Sequence, residues 1–122
     1  MRSFTEDQNI FRGAVRKFLE AEVQPQIEEA RKAGLYDREL FRKAGEQGIL
    51  LIWADEQYGG MGDPYFRWEQ IIIEEVARAD CGELFITLHS RLVGPYIDRF
   101  GTEEQKQRWL PGCASGEKIL AI

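Results

Sequence analysis

The chain has 122 residues and a formal net charge of −5; 43% of its residues are hydrophobic and 30% are charged. This length and balance are typical of one soluble globular domain and exclude a disordered chain. The acidic balance excludes nucleic acid as a main partner and argues against binding at a membrane surface, because both need a basic face.

Two predicted helices occupy the first part of the chain. Thr5 and Gln8 form a capping-box pattern, which starts a helix with an apolar stripe from Phe11 to Leu19 and an expected end near Val23. Pro25 fits the first turn of a second, shorter helix, where its missing N–H is not needed. Gly34 is the expected end of that helix, because glycine tolerates the left-handed backbone found there.

A third helix, a connector and a loop are predicted next. Asp37 is expected to cap the third helix, and Gly48 to end it. Residues 49–53 read ILLIW, an apolar run without a helical period, and we favour a buried connector over a strand because no partner strand is evident. After a glycine-rich loop, Asp63 is expected to cap a fourth helix that begins at Pro64.

The fourth helix is predicted to be amphipathic. Its apolar face carries Trp68, Ile71, Ile72, Val76 and Ala79. Its polar face carries Arg67, Glu74, Glu75 and Arg78. These four charged side chains are therefore expected on the side turned away from the core.

A fifth helix is predicted after the break at ADCG. Leu84, Leu88 and Leu92 recur every four residues along it. Pro95 is expected either to kink this helix or to begin a new segment, and the pattern leaves both alternatives open. Gly101 is its expected end.

The sixth helix has a second capping box, at Thr102 and Gln105, with Trp109 and Leu110 on its buried side. The fold prediction is therefore all-α, an antiparallel bundle of about six helices. Gly116 is expected to end the last helix, and the KILAI tail after it has the apolar, partly β-branched character of a strand beginning.

Few residues could carry chemistry. The spacing of the YGGMG loop fits neither a dinucleotide fingerprint nor a P-loop, which leaves a plain connector. Glu74, Glu75 and Asp80 invite a carboxylate-bridged metal, but that site needs two histidines and the chain has only His89. His89 has no nucleophile beside it, since Ser90 points about 100° away on a helix. A packed or hydrogen-bonded histidine is predicted, with no catalytic residue and no metal site.

The compartment is predicted from the cysteines and the first residues. Cys81 and Cys113 are isolated in sequence, which suits a reducing compartment and does not suggest a disulfide framework. The start MRSFTEDQ lacks the features of a signal or transit peptide, and no apolar run approaches membrane-spanning length. A cytoplasmic location without a membrane partner is expected.

One resemblance covers nearly the whole chain. It rests on FTEDQNIFRGAVRKFLEAEVQP, RELFRKAGEQGIL, EQYGGMG, IIIEEVARAD, LHS and RFGTEEQKQRWLP, in that order and followed by GEKILAI. Together these segments resemble the N-terminal helical domain of the acyl-CoA dehydrogenases. One departure is local: the family usually has a proline where this chain has Ala54-Asp55, which affects only the shape of that loop.

The resemblance implies a flavoenzyme of three domains. Residues 1–117 would be the N-terminal helical domain, and residues 118–122 the first residues of a truncated β-domain that covers the FAD. Enzymes of this family remove the α proton of an acyl-CoA with a glutamate base while the β hydride passes to the flavin N5. The product is a trans-2-enoyl-CoA, as in fatty-acid β-oxidation. The base and most flavin contacts lie in the other two domains, so this chain alone is expected to be inactive.

The resemblance also assigns site residues and partners. Leu84, Leu88 and Leu92, with His89 beside them, would form one wall of the acyl-chain pocket, and Ile122 would lie at the edge of the flavin site. An apolar wall suits an aliphatic tail, because each buried methylene contributes about 0.8 kcal/mol. The implied partners are an acyl-CoA substrate, an electron-transfer flavoprotein or similar acceptor, and further copies of the chain in a homotetramer formed largely through the other domains.

Two alternatives stay open. The chain could be a stand-alone helical module that binds a partner or a free acyl chain. It could also belong to a related flavoprotein, such as an acyl-CoA oxidase or a nitroalkane oxidase. The helical domain alone does not separate these enzymes, because they differ in how the reduced flavin is reoxidised.

Overall fold

The computed structural model describes residues 3–122, and helices are the only regular structure in that range. The α-helices are α1 (Glu6–Phe18), α2 (Ile27–Ala33), α3 (Glu39–Glu46), α4 (Phe66–Arg78), α5 (Gly94–Phe100) and α6 (Glu103–Ser115). Shorter segments are π-helical at Leu19–Val23 and Leu88–Val93 and 3₁₀-helical at Gln24–Gln26, Glu56–Tyr58 and Gly82–Leu84. The predicted all-α class is confirmed. Within residues 3–122, none of the helices combines the length and apolar character needed to cross a membrane.

The chain divides into two compact units. The first contains the chain up to Asp37 together with Tyr65–Leu84, and in it α1 packs against α4. The second contains Arg38–Pro64 and Phe85–Ile122, and in it α6 packs against both α3 and α5. Each unit has its own set of fully buried apolar side chains, which supply the favourable free energy of burial. In the first unit these include Val15, Leu19, Val23, Ile71 and Ile72, and in the second Leu40, Ile49, Leu51, Ile86 and Leu110.

Both predicted capping boxes are present. The Gln8 amide donates to Thr5 Oγ1 at 3.1 Å and the Thr5 amide donates to Gln8 Oε1 at 2.9 Å. Thr102 and Gln105 repeat the pattern at 3.2 and 2.9 Å. Each box satisfies two backbone donors that the first turn of a helix leaves without a partner. Gly34 ends α2 with a left-handed backbone, as its position in the sequence predicts.

Two predicted helix starts are wrong by one or two residues. The N-cap of α3 is Arg38, and not Asp37. The N-cap of α4 is Tyr65, and not Asp63, because Tyr65 still has an extended backbone and the first helical residue is Phe66. Pro64 therefore precedes the helix instead of occupying its first turn.

The predicted fifth helix does not run from Leu84 to Leu92 without a break. Leu84 ends a 3₁₀ turn, and Phe85 follows with a φ of +59°, a left-handed conformation that a right-handed helix cannot include. Helix resumes at Ile86 and becomes π-helical at Leu88. Pro95 lies in the first turn of α5, which continues directly from the π-helical segment, because Val93 and Gly94 both keep a right-handed helical backbone. The backbone is therefore helical from Ile86 to Phe100, and Pro95 does not begin a separate segment.

The ILLIW run is confirmed as a buried connector, since Ile49 to Ile52 are each no more than 2% exposed and lie outside helix and strand.

The burial of two side chains differs from the prediction. Glu75 is buried, although it was expected on the polar face of α4, and it neutralises its charge against arginines of α1. Trp109 is 39% exposed, so Leu110 alone of the predicted pair fills the core beside α6.

Candidate functional site

The candidate site lies in the second compact unit, where the π-helical segment Leu88–Val93, α6 and the C-terminal residues meet. His89 is at its centre and is completely buried. Its Nε2 is 2.9 Å from the carbonyl oxygen of Cys113, and its Nδ1 accepts the Leu120 amide at 3.0 Å. The ring of Phe41 meets the imidazole edge to face, with centroids 5.3 Å apart. The prediction of a packed, hydrogen-bonded histidine is confirmed.

The hydrogen bonds of His89 define its protonation state. The Leu120 amide can only donate, so Nδ1 must be the nitrogen without a proton. The Cys113 carbonyl can only accept, so Nε2 carries the proton and donates it. Burial lowers the pKa of His89 below its ordinary value, while the bond to Cys113 acts in the opposite direction. The ring is therefore neutral near pH 7. It is unsuited to act as a general base, because both of its nitrogens are already hydrogen-bonded to backbone groups.

The C-terminal residues Glu117–Leu120 fold back along α6 without forming a strand. The Lys118 amide donates to the Gly112 carbonyl at 3.0 Å, and its Nζ donates to the Arg108 carbonyl at 2.8 Å. The same ammonium group lies 4.7 Å from the centre of the Trp109 ring, a cation–π contact. The tail is thus held at several points, although no sheet partner is present among the described residues.

An apolar groove of about 490 Å³ lies between α5, α6 and this tail. It is lined by Tyr96, Ile97, Phe100, Gly101, Gln105, Trp109 and Leu120. Phe100 is 72% and Tyr96 62% exposed, which is unusual for aromatic side chains of this size. Grooves lined by apolar and aromatic residues are the common form of sites for apolar ligands.

The leucines of the predicted row differ in exposure. Leu84 belongs to the first compact unit and is buried. Leu88 and Leu92 belong to the second, where Leu88 is half-buried and Leu92 is 47% exposed. Within the second unit, Leu92 therefore offers apolar surface to a ligand, whereas His89 is completely buried. Ile122, predicted at the edge of a flavin site, is 90% exposed.

The glycine-rich loop uses its own amides. The amides of Gly59 and Gly60 donate to Glu56 and Asp55, and those of Met61 and Gly62 donate to Ile52 and Ala54. An anion cradle needs several free N–H groups that converge on one point, and these four are already bonded. The loop is also tight, because a Cβ on Gly60 would lie 2.0 Å from the Ala54 carbonyl oxygen. A connector, as the spacing of the motif predicts, is consistent with this geometry.

The acidic residues considered as metal ligands have other partners. Glu75 is bonded to Arg12 and Arg16, and Asp80 to Arg31. Residues 3–122 contain no group of three or more His, Cys, Asp or Glu side chains that could hold a metal ion. Burial raises the pKa of both Cys81 and Cys113 to about 11, so neither thiol is set up as a nucleophile near neutral pH.

Sequence reasoning missed the partners of His89 and the ion pair of Glu75. Glu75 follows Ile71 by four residues and so lies on the apolar stripe of α4, while Arg12 and Arg16 have the same spacing on α1. These spacings are the signal that could have predicted the ion pair. Nothing in the sequence indicates that the amide of Leu120 and the ring of His89 meet, because the contact spans 31 residues.

The fold and the site together define a class of protein: an all-helical chain with an apolar groove and a C-terminal tail that folds back along the last helix. The family follows from the comparison of the chain with known proteins. Residues 5–117 match the family model described as the acyl-CoA dehydrogenase N-terminal domain, and the chain belongs to this family.

Individual relatives agree with this assignment. The chain is 42% identical over 121 residues to the mitochondrial long-chain specific acyl-CoA dehydrogenase of Sus scrofa, covering 99% of this chain and 28% of that protein. The acyl-CoA dehydrogenase of Geobacillus kaustophilus superimposes with a TM-score of 0.90 at 43% identity, over 97% of this chain and 31% of that one. The Bacillus anthracis acyl-CoA dehydrogenase complexed with FAD superimposes with a TM-score of 0.86 at 30% identity, over 96% and 20%. The chain thus spans less than a third of the length of these relatives.

Proposed function

We propose that the chain is the N-terminal part of an FAD-dependent acyl-CoA dehydrogenase, in which it forms one wall of the acyl-chain pocket and is not catalytic alone. The observation that carries the proposal is the apolar surface of the second unit, with Leu92 exposed beside the half-buried Leu88, in a domain of this family. Residues 118–122 would lead into the domain that follows.

Within residues 3–122, neither the glycine-rich loop nor the C-terminal tail provides a flavin site of its own. The glycine-rich loop uses its amides internally, and the C-terminal tail contributes only an exposed edge that ends at Ile122. FAD, when bound to the whole protein, would accept the substrate hydride. Among the described residues, His89 is neutral and enclosed, so it holds its proton on Nε2 and takes no part in proton abstraction.

The role of this chain is then to bind and orient the acyl tail. Leu88 and Leu92 of the second unit would contact the methylene chain, and His89 would remain a buried residue of the same unit. Each methylene that leaves water contributes about 0.8 kcal/mol to the free energy of binding, which raises the binding constant about fourfold. A wall of this kind binds and limits the substrate without reacting with it.

The first experiment tests the activity of the full-length gene product. It should be yellow when isolated, and its flavin absorbance should bleach when an acyl-CoA is added. A colourless product that does not oxidise acyl-CoA would contradict the proposal.

The electron-transfer flavoprotein or a similar acceptor should reoxidise the flavin of the full-length protein, and the full-length protein should assemble as a homotetramer. A cytoplasmic location remains a prediction that fractionation can check.

A second experiment tests the wall. Leu92→Trp in the full-length protein adds bulk where the acyl tail would lie, so kcat/KM should fall for long acyl-CoAs and change little for short ones. Leu35→Trp is the matched control, because Leu35 is 76% exposed and lies in the other compact unit. Equal effects of Leu92→Trp on every chain length would place Leu92 outside the pocket.

The apolar groove between α5 and α6 keeps a second candidate open. A stand-alone module that binds acyl chains would use this groove directly. Titration of the 122-residue chain with a fatty acyl-CoA, followed by tryptophan fluorescence, to which Trp109 of the groove contributes, distinguishes the two functions. Saturable micromolar binding to the isolated chain would favour the stand-alone module.

A further inference from the structure

Three successive parts of the C-terminal segment are fixed by the body of the second unit. Arg38 Nη2 donates to the Glu117 carbonyl at 2.8 Å. Lys118 bonds to α6 through its amide and its ammonium group. His89 accepts the Leu120 amide at 3.0 Å. The segment from Glu117 to Leu120 therefore has a defined direction, although it forms neither helix nor sheet.

The close approach of Lys118 to α6 depends on a glycine. A Cβ built on Gly112 would lie 2.8 Å from Lys118 Cδ, so the aliphatic stem of the lysine occupies the space that a side chain at Gly112 would fill. The stem then carries the ammonium group past Gly112 to the Arg108 carbonyl. The cation–π contact with Trp109 stabilises the same side-chain conformation.

His89 differs from the other two attachments because it is fully buried and bonds two segments at once. Its Nε2–H donates to Cys113 in α6, while its Nδ1 accepts from Leu120 in the tail. One neutral imidazole therefore connects the π-helical segment, α6 and the tail. Protonation of Nδ1 would turn the acceptor into a donor that faces the Leu120 N–H, and that bond would be lost.

We propose that His89 is a positioning residue: as the neutral Nε2–H tautomer, it connects Leu120 to Cys113 and, with Arg38 and Lys118, fixes the direction in which the chain leaves α6. Ile119, which lies between the attachments at Lys118 and Leu120, is 41% exposed, and Ile122 is 90% exposed, so these two apolar side chains are presented outward. If the proposed function holds, the same attachment places Ile122 against the flavin-covering domain, and this last consequence alone rests on the proposed function.

The test uses the 122-residue chain without any flavin, so that its outcome is independent of dehydrogenase activity. Nuclear magnetic resonance of the histidine ring should show a proton on Nε2 and none on Nδ1. Amide exchange of Leu120 should be slow, whereas that of Ile122 should be fast. A Leu120 amide that exchanges as fast as that of Ile122, or a ring protonated on Nδ1, would overturn the proposal even if no variant can be prepared.

Two variants separate positioning from simple packing. His89→Asn places an acceptor near the position of Nδ1, whereas His89→Gln places its polar group near the position of Nε2. We expect Leu120 exchange in His89→Gln to be at least about fivefold faster than in His89→Asn, because only the asparagine retains the bond to the tail. Equal Leu120 exchange in the two variants would show that His89 acts through packing alone and would overturn the proposal. A failure of the full-length protein to bind FAD would leave these results unchanged.

Discussion

Arg16 and Glu75 form a two-point ion pair between α1 and α4. Arg16 Nε donates to Glu75 Oε1 at 2.7 Å, and Arg16 Nη2 donates to Oε2 at 2.9 Å. Arg12 Nη1 adds a third bond, to Oε2 at 2.9 Å. The Glu75 side chain is only 2% exposed, so this carboxylate depends on the two arginines for the interactions that water would otherwise supply.

Replacement of Glu75 by Gln should destabilise the first compact unit. The amide keeps the shape of the side chain but removes the charge that two guanidinium groups share. The free energy of unfolding should fall by about 2 kcal/mol, as expected for hydrogen bonds to charged groups. Denaturation in urea measures it. Glu74→Gln is the control, because the Glu74 side chain is 44% exposed and its bond to Arg12 should contribute about 0–1 kcal/mol. If the two variants lost the same free energy of unfolding, the conclusion that the buried Glu75 ion pair stabilises the fold more than the exposed Glu74 pair would be wrong.

The same ion pair should make the stability of the folded chain depend on pH in the acidic range. The bond to Arg16, followed by that to Arg12, holds the pKa of Glu75 below its ordinary value of 4.5. The stabilising contribution is therefore complete above pH 4.5 and is lost as the pH falls through the lower pKa of the folded protein. Thermal unfolding from pH 7 downwards should show a smaller loss of stability in Glu75→Gln than in the unmodified chain. Parallel curves would show that Glu75 contributes no acid sensitivity.

Stability should also depend on His89 in weak acid. Its pKa is lowered from an ordinary 6.5, so its contribution is present above pH 6.5 and is lost as the pH falls towards the lower folded value. The groups that contact the ring are the Phe41 ring, the Cys113 carbonyl and the Leu120 amide, and the Cys113 thiol has a pKa of about 11, so they do not titrate here. Between pH 7 and 5 the unmodified chain should lose more stability than His89→Asn, which differential scanning calorimetry can measure.

Gly45 should not tolerate a methyl group. A Cβ at this position in α3 would lie 2.2 Å from the Ser115 carbonyl oxygen of α6, closer than any van der Waals contact. Gly45→Ala should therefore lower the free energy of unfolding by about 1–3 kcal/mol through overpacking. Gly13→Ala is the matched control, since Gly13 also lies within a helix but has nothing within 4 Å of its Cβ position. It should raise stability by about 0.5–1 kcal/mol, because alanine is the better helix former. If both substitutions changed the free energy of unfolding in the same direction, the close contact between α3 and α6 at Gly45 would be contradicted.

The two cysteines should be unreactive in the folded chain. Both are fully buried, and burial raises the pKa of each thiol to about 11. An aromatic disulfide reagent at pH 8 should therefore react with them at a rate limited by unfolding, and quickly in denaturant. Two equivalents of fast reaction under native conditions would contradict the buried positions.

Most of the helices can be predicted from the amino-acid sequence, because the signals that start and end them are local. Thr5 with Gln8 and Thr102 with Gln105 satisfy their own first turns, and Gly34 and Gly116 supply left-handed backbone at the ends. The family resemblance likewise came from short segments in order. The break of the leucine row at Phe85 and the contact of His89 with Leu120 follow from the tertiary structure alone. Such features depend on side chains that are far apart in sequence, and the periodicity of one helix contains no information about which partner it will meet.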